Sequence, residues 1–308
     1  MKKRTVSIWC VCLATLMLAG CGAKAEIEEQ TQTVAEQDET VEQSETEEDT
    51  VTDKEFVVDY AHDYTAEIQE EVKAIVLSST SLQEELEKVE QLSERYLPLA
   101  TQAQTQAEMN QAAGWFYTIW GTELNDLWSR ISNQADEQTK ERLLAEQRNW
   151  VSMKEEITLE YYGPAEENGS MYPTLYSSFW ENNTRNRCYI LASELAGIQG
   201  ESFLLPDKST KYGVFVDNQG TGSVYSSLIT RTGWEGDDEA IVSIYRLIAL
   251  EGSFTDNGDG TLSFRDEECD VEGIITIAPW NGASFEVTAS PEDFVVSVGE
   301  TFEFDFVF

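Results

Sequence analysis

The apolar residues of this chain change period near Leu204-Leu205-Pro206-Asp207, and that change limits the architectures open to it. Before it, apolar positions recur every three or four residues, the repeat of one helix face. After it they alternate, the repeat of a half-buried strand. A chain patterned in this way folds as α+β: a helical bundle or hairpin domain over 57–207, followed by a small antiparallel β-sandwich or barrel domain over 208–308.

In the first half, Ser81-Leu82-Gln83-Glu84 and Thr105-Gln106-Ala107-Glu108 have the spacing of capping boxes and mark helix starts. From Thr105, the residues Met109, Ala113, Phe116, Trp120, Leu124, Leu127, Trp128 and Ile131 predict one long amphipathic helix. Asp136 suits the N-cap of the next helix, which carries Leu143, Leu144, Gln147, Trp150, Val151 and Ile157 and stops at Gly163-Pro164. A further helix is predicted over 173–195, with Leu175, Phe179, Tyr189, Ile190 and Leu195 inward and Gly197 near its end. Two shorter helices precede them, over 65–78 and 81–95. The aromatic cluster Trp115, Phe116, Tyr117, Trp120 and Trp128 has the spacing of core packing. Trp115 and Tyr117 fall off the stripe and are the expected exposed contacts.

In the second half, strands are predicted over 212–216, 223–230, 241–250, 261–264, 273–278, 284–288 and 294–298. The clearest is Thr301 to Phe308, where Phe302, Phe304, Phe306 and Phe308 should share one face. Asn257-Gly258-Asp259-Gly260 and Asn281-Gly282 are turn signals. Thr255 to Asp266 resembles a calcium loop only in part. It has Thr255 where a first carboxylate is needed and Asp266 where a bidentate Glu is needed, so a hairpin turn is the better reading.

The N-terminus gives the compartment. Met1-Lys2-Lys3-Arg4 is basic, and the apolar run Val6–Leu18, at about a dozen residues, is shorter than the roughly 20 that span a bilayer. Leu18-Ala19-Gly20-Cys21 resembles a bacterial lipobox. By that resemblance residues 1–20 are a signal peptide, Cys21 carries diacylglycerol, and the protein is lipid-anchored to the cell membrane facing the extracytoplasmic side. Two acyl chains make such an anchor stable, at about 0.8 kcal/mol per buried methylene. Residues 21–56, rich in Glu, Gln, Thr and Asp, bury too little to offset ordering and are expected to be a disordered acidic linker. Cys10 and Cys12 leave with the signal peptide, so Cys188 and Cys269 remain, expected as two independent thiols.

The chain holds 58 acidic and 20 basic residues, a formal net charge of −38. Such a field repels nucleic-acid phosphates and anionic headgroups and attracts a cationic partner. The only histidine, His62, stands at the edge of the linker, which leaves no Ser-His-Asp or Cys-His arrangement and no histidine metal cluster. No catalytic residue, metal ligand or cofactor is assigned, and a carboxylate hydrolase would have to be chosen arbitrarily among many acidic pairs.

Four segments together carry a family resemblance. They are Thr105 to Ala112, with Glu108 and Asn110; Glu123-Leu124-Asn125 with Trp128; Gln147-Arg148-Asn149-Trp150 with Lys154-Glu155; and Thr184-Arg185-Asn186-Arg187 with Leu191. In order and spacing they resemble the helical module of the LprI-type lysozyme-inhibitor family, over about residues 100–198. The resemblance implies a protein partner, and lysozyme of the host c-type is cationic, which suits electrostatic steering. It also implies that Glu108, Asn110, Glu123, Leu124, Asn125, Gln147, Trp150, Arg185 and Arg187 serve structure or binding. Members often join the long helices by a cysteine pair. Here those positions are Ala112 and Thr158, and an Arg-Asp pair becomes Lys154-Glu155, without the planar fork of Arg. The strand half does not resemble the β-barrel that accompanies this module in some members. The expected function is a tethered binding lipoprotein that inhibits lysozyme by contact. The alternative is an accessory envelope lipoprotein that holds another exported protein.

Overall fold

The computed structural model describes residues 57–308 apart from 209, 210 and 234. The expectations for the signal peptide, for Cys21 and for the acidic linker to residue 56 lie outside these residues. Among the described residues the helical region contains α1 (Thr65–Ser78), α2 (Leu82–Arg95), α3 (Pro98–Thr101), α4 (Gln106–Gln134), α5 (Glu137–Ser152), α6 (Lys154–Tyr162), α7 (Ala165–Asn168) and α8 (Tyr172–Gln199).

The caps explain where these helices begin. Thr105 accepts from the Glu108 backbone while the Glu108 carboxylate receives the Thr105 N–H at 2.9 Å, a complete capping box. At α2 the box is only half formed. Ser81 accepts from Glu84 N, but the Glu84 carboxylate turns one residue further back to Thr80 N at 2.8 Å. Asp136 caps α5 through Thr139 N at 2.8 Å. The predicted single helix up to Gly163 is interrupted at Met153, which separates α5 from α6. The last long helix runs through Gly197 and ends at Gly200, whose left-handed conformation (φ 73°) closes it.

α4 and α8 form a long pair covered on one side by α1, α2 and α3. This second layer changes the expectation for Trp115. It is 3% exposed, T-shaped against Tyr64 at 5.0 Å, and donates its indole N–H to Asp63 at 3.2 Å. α4 is therefore buried on more than one stripe, with Trp115, Ile119 and Glu123 inside together with Phe116, Trp120, Leu127 and Ile131, whereas Met109 is exposed.

The strands are β1 (Gly213–Asp217), β2 (Ser226–Thr232), β3 (Asp238–Ile244), β4 (Ile248–Asp256), β5 (Thr261–Asp266), β6 (Val271–Ala278), β7 (Gly282–Ala289), β8 (Thr301–Phe304) and β9 (Phe306–Val307). They form one antiparallel sheet in the order β8-β7-β6-β5-β4-β3-β2-β1-β9. Each strand through β8 pairs with its predecessor, and β9, the continuation of β8, pairs with β1 at the opposite edge. The sheet is thus a nearly closed up-and-down barrel of a size whose interior side chains fill. Phe215, Leu228, Val242, Leu250, Leu262, Phe264, Ile275, Phe285 and Phe304 form that interior.

Three expectations are corrected here. The run 241–250 is not one strand: Tyr245-Arg246-Leu247 turns it into the β3–β4 hairpin, with Arg246 at φ 58°. Residues 294–298 form no strand. They belong to a loop held by Gly299 N to Val287 O (2.8 Å) and Ser290 Oγ to Val296 O (2.8 Å), and Val296 packs into the barrel core. The four phenylalanines do not share a face. Asp305 lies between β8 and β9 as an unpaired residue and reverses the alternation. Phe302 and Phe304 pack with the barrel interior, while Phe306 and Phe308 pack outward against helices. Gly282 (φ 114°) makes room for this offset, because a Cβ there would lie 2.6 Å from the Phe304 carbonyl oxygen.

The outward face of β1 and β2 is not solvated. Val214, Val216, Ile229 and Phe308 form one buried cluster with Trp150, Met153, Ile157, Phe179 and Trp180. Polar ties flank it: Ser152 Oγ donates to Gly222 O (2.6 Å), Val224 N to Glu156 (3.2 Å), and Asn186 Nδ2 to Phe308 O (3.1 Å). The described residues from Val57 to Phe308 belong to one compact unit. Cys188 is buried in the helical core, Cys269 sits in the β5–β6 turn, and both are free thiols.

Candidate functional site

The motif residues lie on α4, α5 and α8; Glu123, Trp150 and Arg187 are buried, and Glu108, Asn110, Leu124 and Gln147 are part-buried. Glu108 spends its carboxylate on the cap of α4, which holds its pKa below the usual carboxylate value through the Gln104 and Thr105 backbone N–H groups. Asn110 links α4 to the start of α8: its Oδ1 accepts from Thr174 at 2.6 Å and from Gln106 at 3.0 Å, and its Nδ2 donates to Ser170 O at 3.3 Å. Gln147 on α5 accepts from Arg187 Nε on α8 at 2.9 Å. The Arg187 side chain is 3% exposed, and its Nη2 lies 3.8 Å from Glu146. Trp150 is buried edge-on to Trp180 at 5.5 Å. Leu124 is part-buried between the helical core and the helix–barrel cluster. Only Asn125 and Arg185 are largely exposed. Arg185 pairs through Nε with Glu90 at 2.5 Å and lies over the Trp120 ring at 5.7 Å.

The positions where the sequence departs from its resemblance are filled by other contacts. Ala112 and Thr158 are both buried, and Thr158 Oγ1 accepts the Trp180 indole N–H at 2.9 Å. Lys154 stands among rings, with Nζ 4.2 Å from the Trp150 centroid and 4.5 Å from that of Trp180, and it donates to Tyr117 OH at 3.1 Å. A cation over desolvated aromatic faces is stabilised by the ring quadrupole. Burial still lowers the Lys154 pKa to about 8.

A charged cluster missed by sequence reasoning surrounds Glu123. Arg130 engages Glu85 with two guanidinium nitrogens, reaches Asp126 with Nε at 2.6 Å, and stands 3.8 Å from Glu123. Glu123 is fully buried. Burial, and then the neighbouring Glu85 carboxylate, push its carboxyl well above the usual carboxylate range. The i,i+7 spacing of Glu123 and Arg130 on α4 was a readable signal, but Glu85 comes from α2 and could not be read from sequence.

These shifts give a sign to the pH dependence. Glu123 is raised, Glu160 is raised by burial, and burial, opposed by Arg185, sets Glu181 at about 7. The folded state therefore binds more protons than the unfolded one between 4.5 and 7. That contribution to stability is fully present below 4.5 and is lost as pH rises through about 7. Caps such as Glu84, lowered to about 2 by Lys88 and Thr80, act oppositely and lose their contribution on acidification below 4.5. Thermal unfolding followed from pH 8 to pH 3 should show maximal Tm near pH 5, and Glu123→Gln should flatten the limb above it. A Tm that rises steadily from pH 5 to 8 would contradict this assignment.

A Ser-His-Asp or Cys-His arrangement would need a histidine. His62, the residue on which such an arrangement would rest, is exposed and paired with Glu67 at 2.7 Å. The Asp256 and Asp259 carboxylates of the β4–β5 turn accept Gly258 N at 2.8 Å and Thr261 N at 3.0 Å, as turn residues do. No curated protein and no solved structure matches this chain. The helical segment from 99 to 191, which holds the motif residues described above, matches the family model described as lysozyme inhibitor LprI.

Proposed function

We propose that this protein is an extracytoplasmic binding lipoprotein, tethered through lipid on Cys21, that inhibits lysozyme by protein–protein contact. The observation that carries the reading is the LprI match over 99–191. A net charge of −38 supports it, because it attracts a cationic partner and raises the association rate. With Glu123, Trp150 and Arg187 buried and Glu108, Asn110 and Gln147 committed to contacts within the helical region, the contacts with the partner fall to the surface beside them, where Asn125 and Arg185 belong to the motif series.

The test measures residual activity of c-type lysozyme on cell walls with the ectodomain 57–308. Inhibition at micromolar protein is expected, weakening as salt shortens the screening length from about 10 Å at 0.1 M to about 3 Å at 1 M. Undiminished activity at low salt would remove the reading. The burial of Glu123, Trp150 and Arg187 favours a second reading, an accessory module that holds another exported protein. An ectodomain that leaves lysozyme active and retains a single envelope protein in affinity capture would support it.

A further inference from the structure

A cleft of about 580 Å³ opens between α8, the residues Pro206 to Lys208 and the end of the barrel. Its volume is that of small-ligand sites. Its walls are aromatic, chiefly Trp280 from the β6–β7 turn and Tyr189 from α8, whose rings lie 6.1 Å apart. Trp280 is fixed by its indole N–H on Pro206 O at 3.1 Å. Asn182 and Asn186 from successive turns of α8 supply amides.

Two cations converge here in a strongly acidic protein. Arg185 shares its charge with Glu90. Lys208 is part-buried, lies 4.8 Å over the Trp280 ring, and has no carboxylate within ion-pair distance among the described residues. Burial, with the nearby Arg185 charge, lowers its pKa to about 8, the response of an ammonium that lacks a counter-ion. Asp207, which also lines the cleft, is exposed. Lys88, Lys211 and Arg142, by contrast, each have a carboxylate partner at 2.7 Å. Distant charge is screened beyond about 8 Å at physiological salt, so the field in the cleft is set by Lys208 and by Arg185 with Glu90 and Glu181 beside it, and Lys208 is the cation there without a carboxylate partner among the described residues.

We propose that this cleft binds a carboxylated saccharide, its carboxylate between Lys208 and Arg185, its ring face on Trp280 and its hydroxyl or acetamido groups on the asparagine amides. A flat apolar wall, neutral amides and a cation pair match the three surfaces of such a sugar, whereas a bare inorganic anion would leave the aromatic wall and the amides unused. The inference goes beyond the lysozyme reading and does not depend on it.

The test is calorimetric titration of the ectodomain with N-acetylmuramic acid and N-acetylneuraminic acid, which separate a wall-derived from a host-derived source. N-acetylglucosamine and inorganic phosphate serve as controls. Saturable binding of at least one acidic sugar is expected, with the neutral sugar weaker by about tenfold or more through the loss of one charge-assisted contact, and phosphate weaker by a similar factor because it leaves the aromatic wall and the amides unused. Lys208→Gln should weaken the acidic sugar by a similar factor while Lys208→Arg retains it, and Asn182→Ala, at an exposed position, should lower affinity without altering Tm. Lysozyme inhibition should be unchanged in Lys208→Gln, which keeps the two readings separable. No saturable binding of either acidic sugar, phosphate binding as tight as the sugar, or an unchanged affinity in Lys208→Gln would each overturn the proposal.

Discussion

Replacing Arg130 by methionine should destabilise the protein by about 3–5 kcal/mol, a large share of the roughly 5–15 kcal/mol that holds a domain folded. The Arg130 side chain is only 23% exposed and, among the described residues, is the one cation paired with Glu85 and Asp126. Glu85 is 2% exposed, so its loss of partner strands a charge that water cannot reach. The expected readout is a lowered urea midpoint with an unchanged slope. Pairing Arg130→Met with Glu85→Gln should recover most of the loss, since both charges then leave together. A single-variant loss below about 1 kcal/mol, the level of a surface pair, would show that Arg130 does not neutralise these carboxylates.

Phe308→Ala should cost about 3–5 kcal/mol, the range for deleting a large aromatic from a packed site. Phe308 is 2% exposed, its ring lies 6.4 Å from that of Trp150 and 6.1 Å from that of Trp180, and its backbone N–H donates to Val214 O at 3.0 Å. The residue thus contributes to the seam between helices and barrel. The same substitution should quench the difference between Trp150 and Trp180 environments, read as a red shift of tryptophan emission in the folded protein. A loss near zero would mean that the seam is filled from elsewhere. Phe306→Ala, at a part-buried position, should cost less and serves as the internal comparison.

How much of this was legible follows from what each element depends on. The starts of α2, α4 and α5 could be read because a cap is local: Ser81, Thr105 and Asp136 each need only the next three residues. The strands β5, β6 and β7 could be read because one face meets the core and the other meets water, so their polar and apolar residues alternate. β1 and β2 showed less contrast for the opposite reason. Helices cover their outer face, and Val214, Val216 and Ile229 are buried there as fully as Phe215 and Leu228 are inside. Trp115 was misplaced because a helix wheel assumes one buried stripe, and the layer of α1 to α3 supplies another. The kink at Met153 and the offset at Asp305 carry no Gly or Pro signal of their own. In the candidate site, the motif residues could be located but not their orientation. Arg130 was overlooked because its main partner lies 45 positions earlier in the chain.

The one-residue offset at Asp305 has a kinetic consequence. A single short segment both seals the barrel, through Phe304 and Val307, and fastens it to the helices, through Phe306 and Phe308. Its pairing with β1 joins residues about ninety positions apart, the kind of contact that forms late because a long loop must close first. Sealing and fastening therefore occur as one step. Backbone amides of β1 and of the segment from Phe304 to Phe308 should exchange with solvent at a common rate, and a fluctuation that frees one side of the zipper frees the other with it.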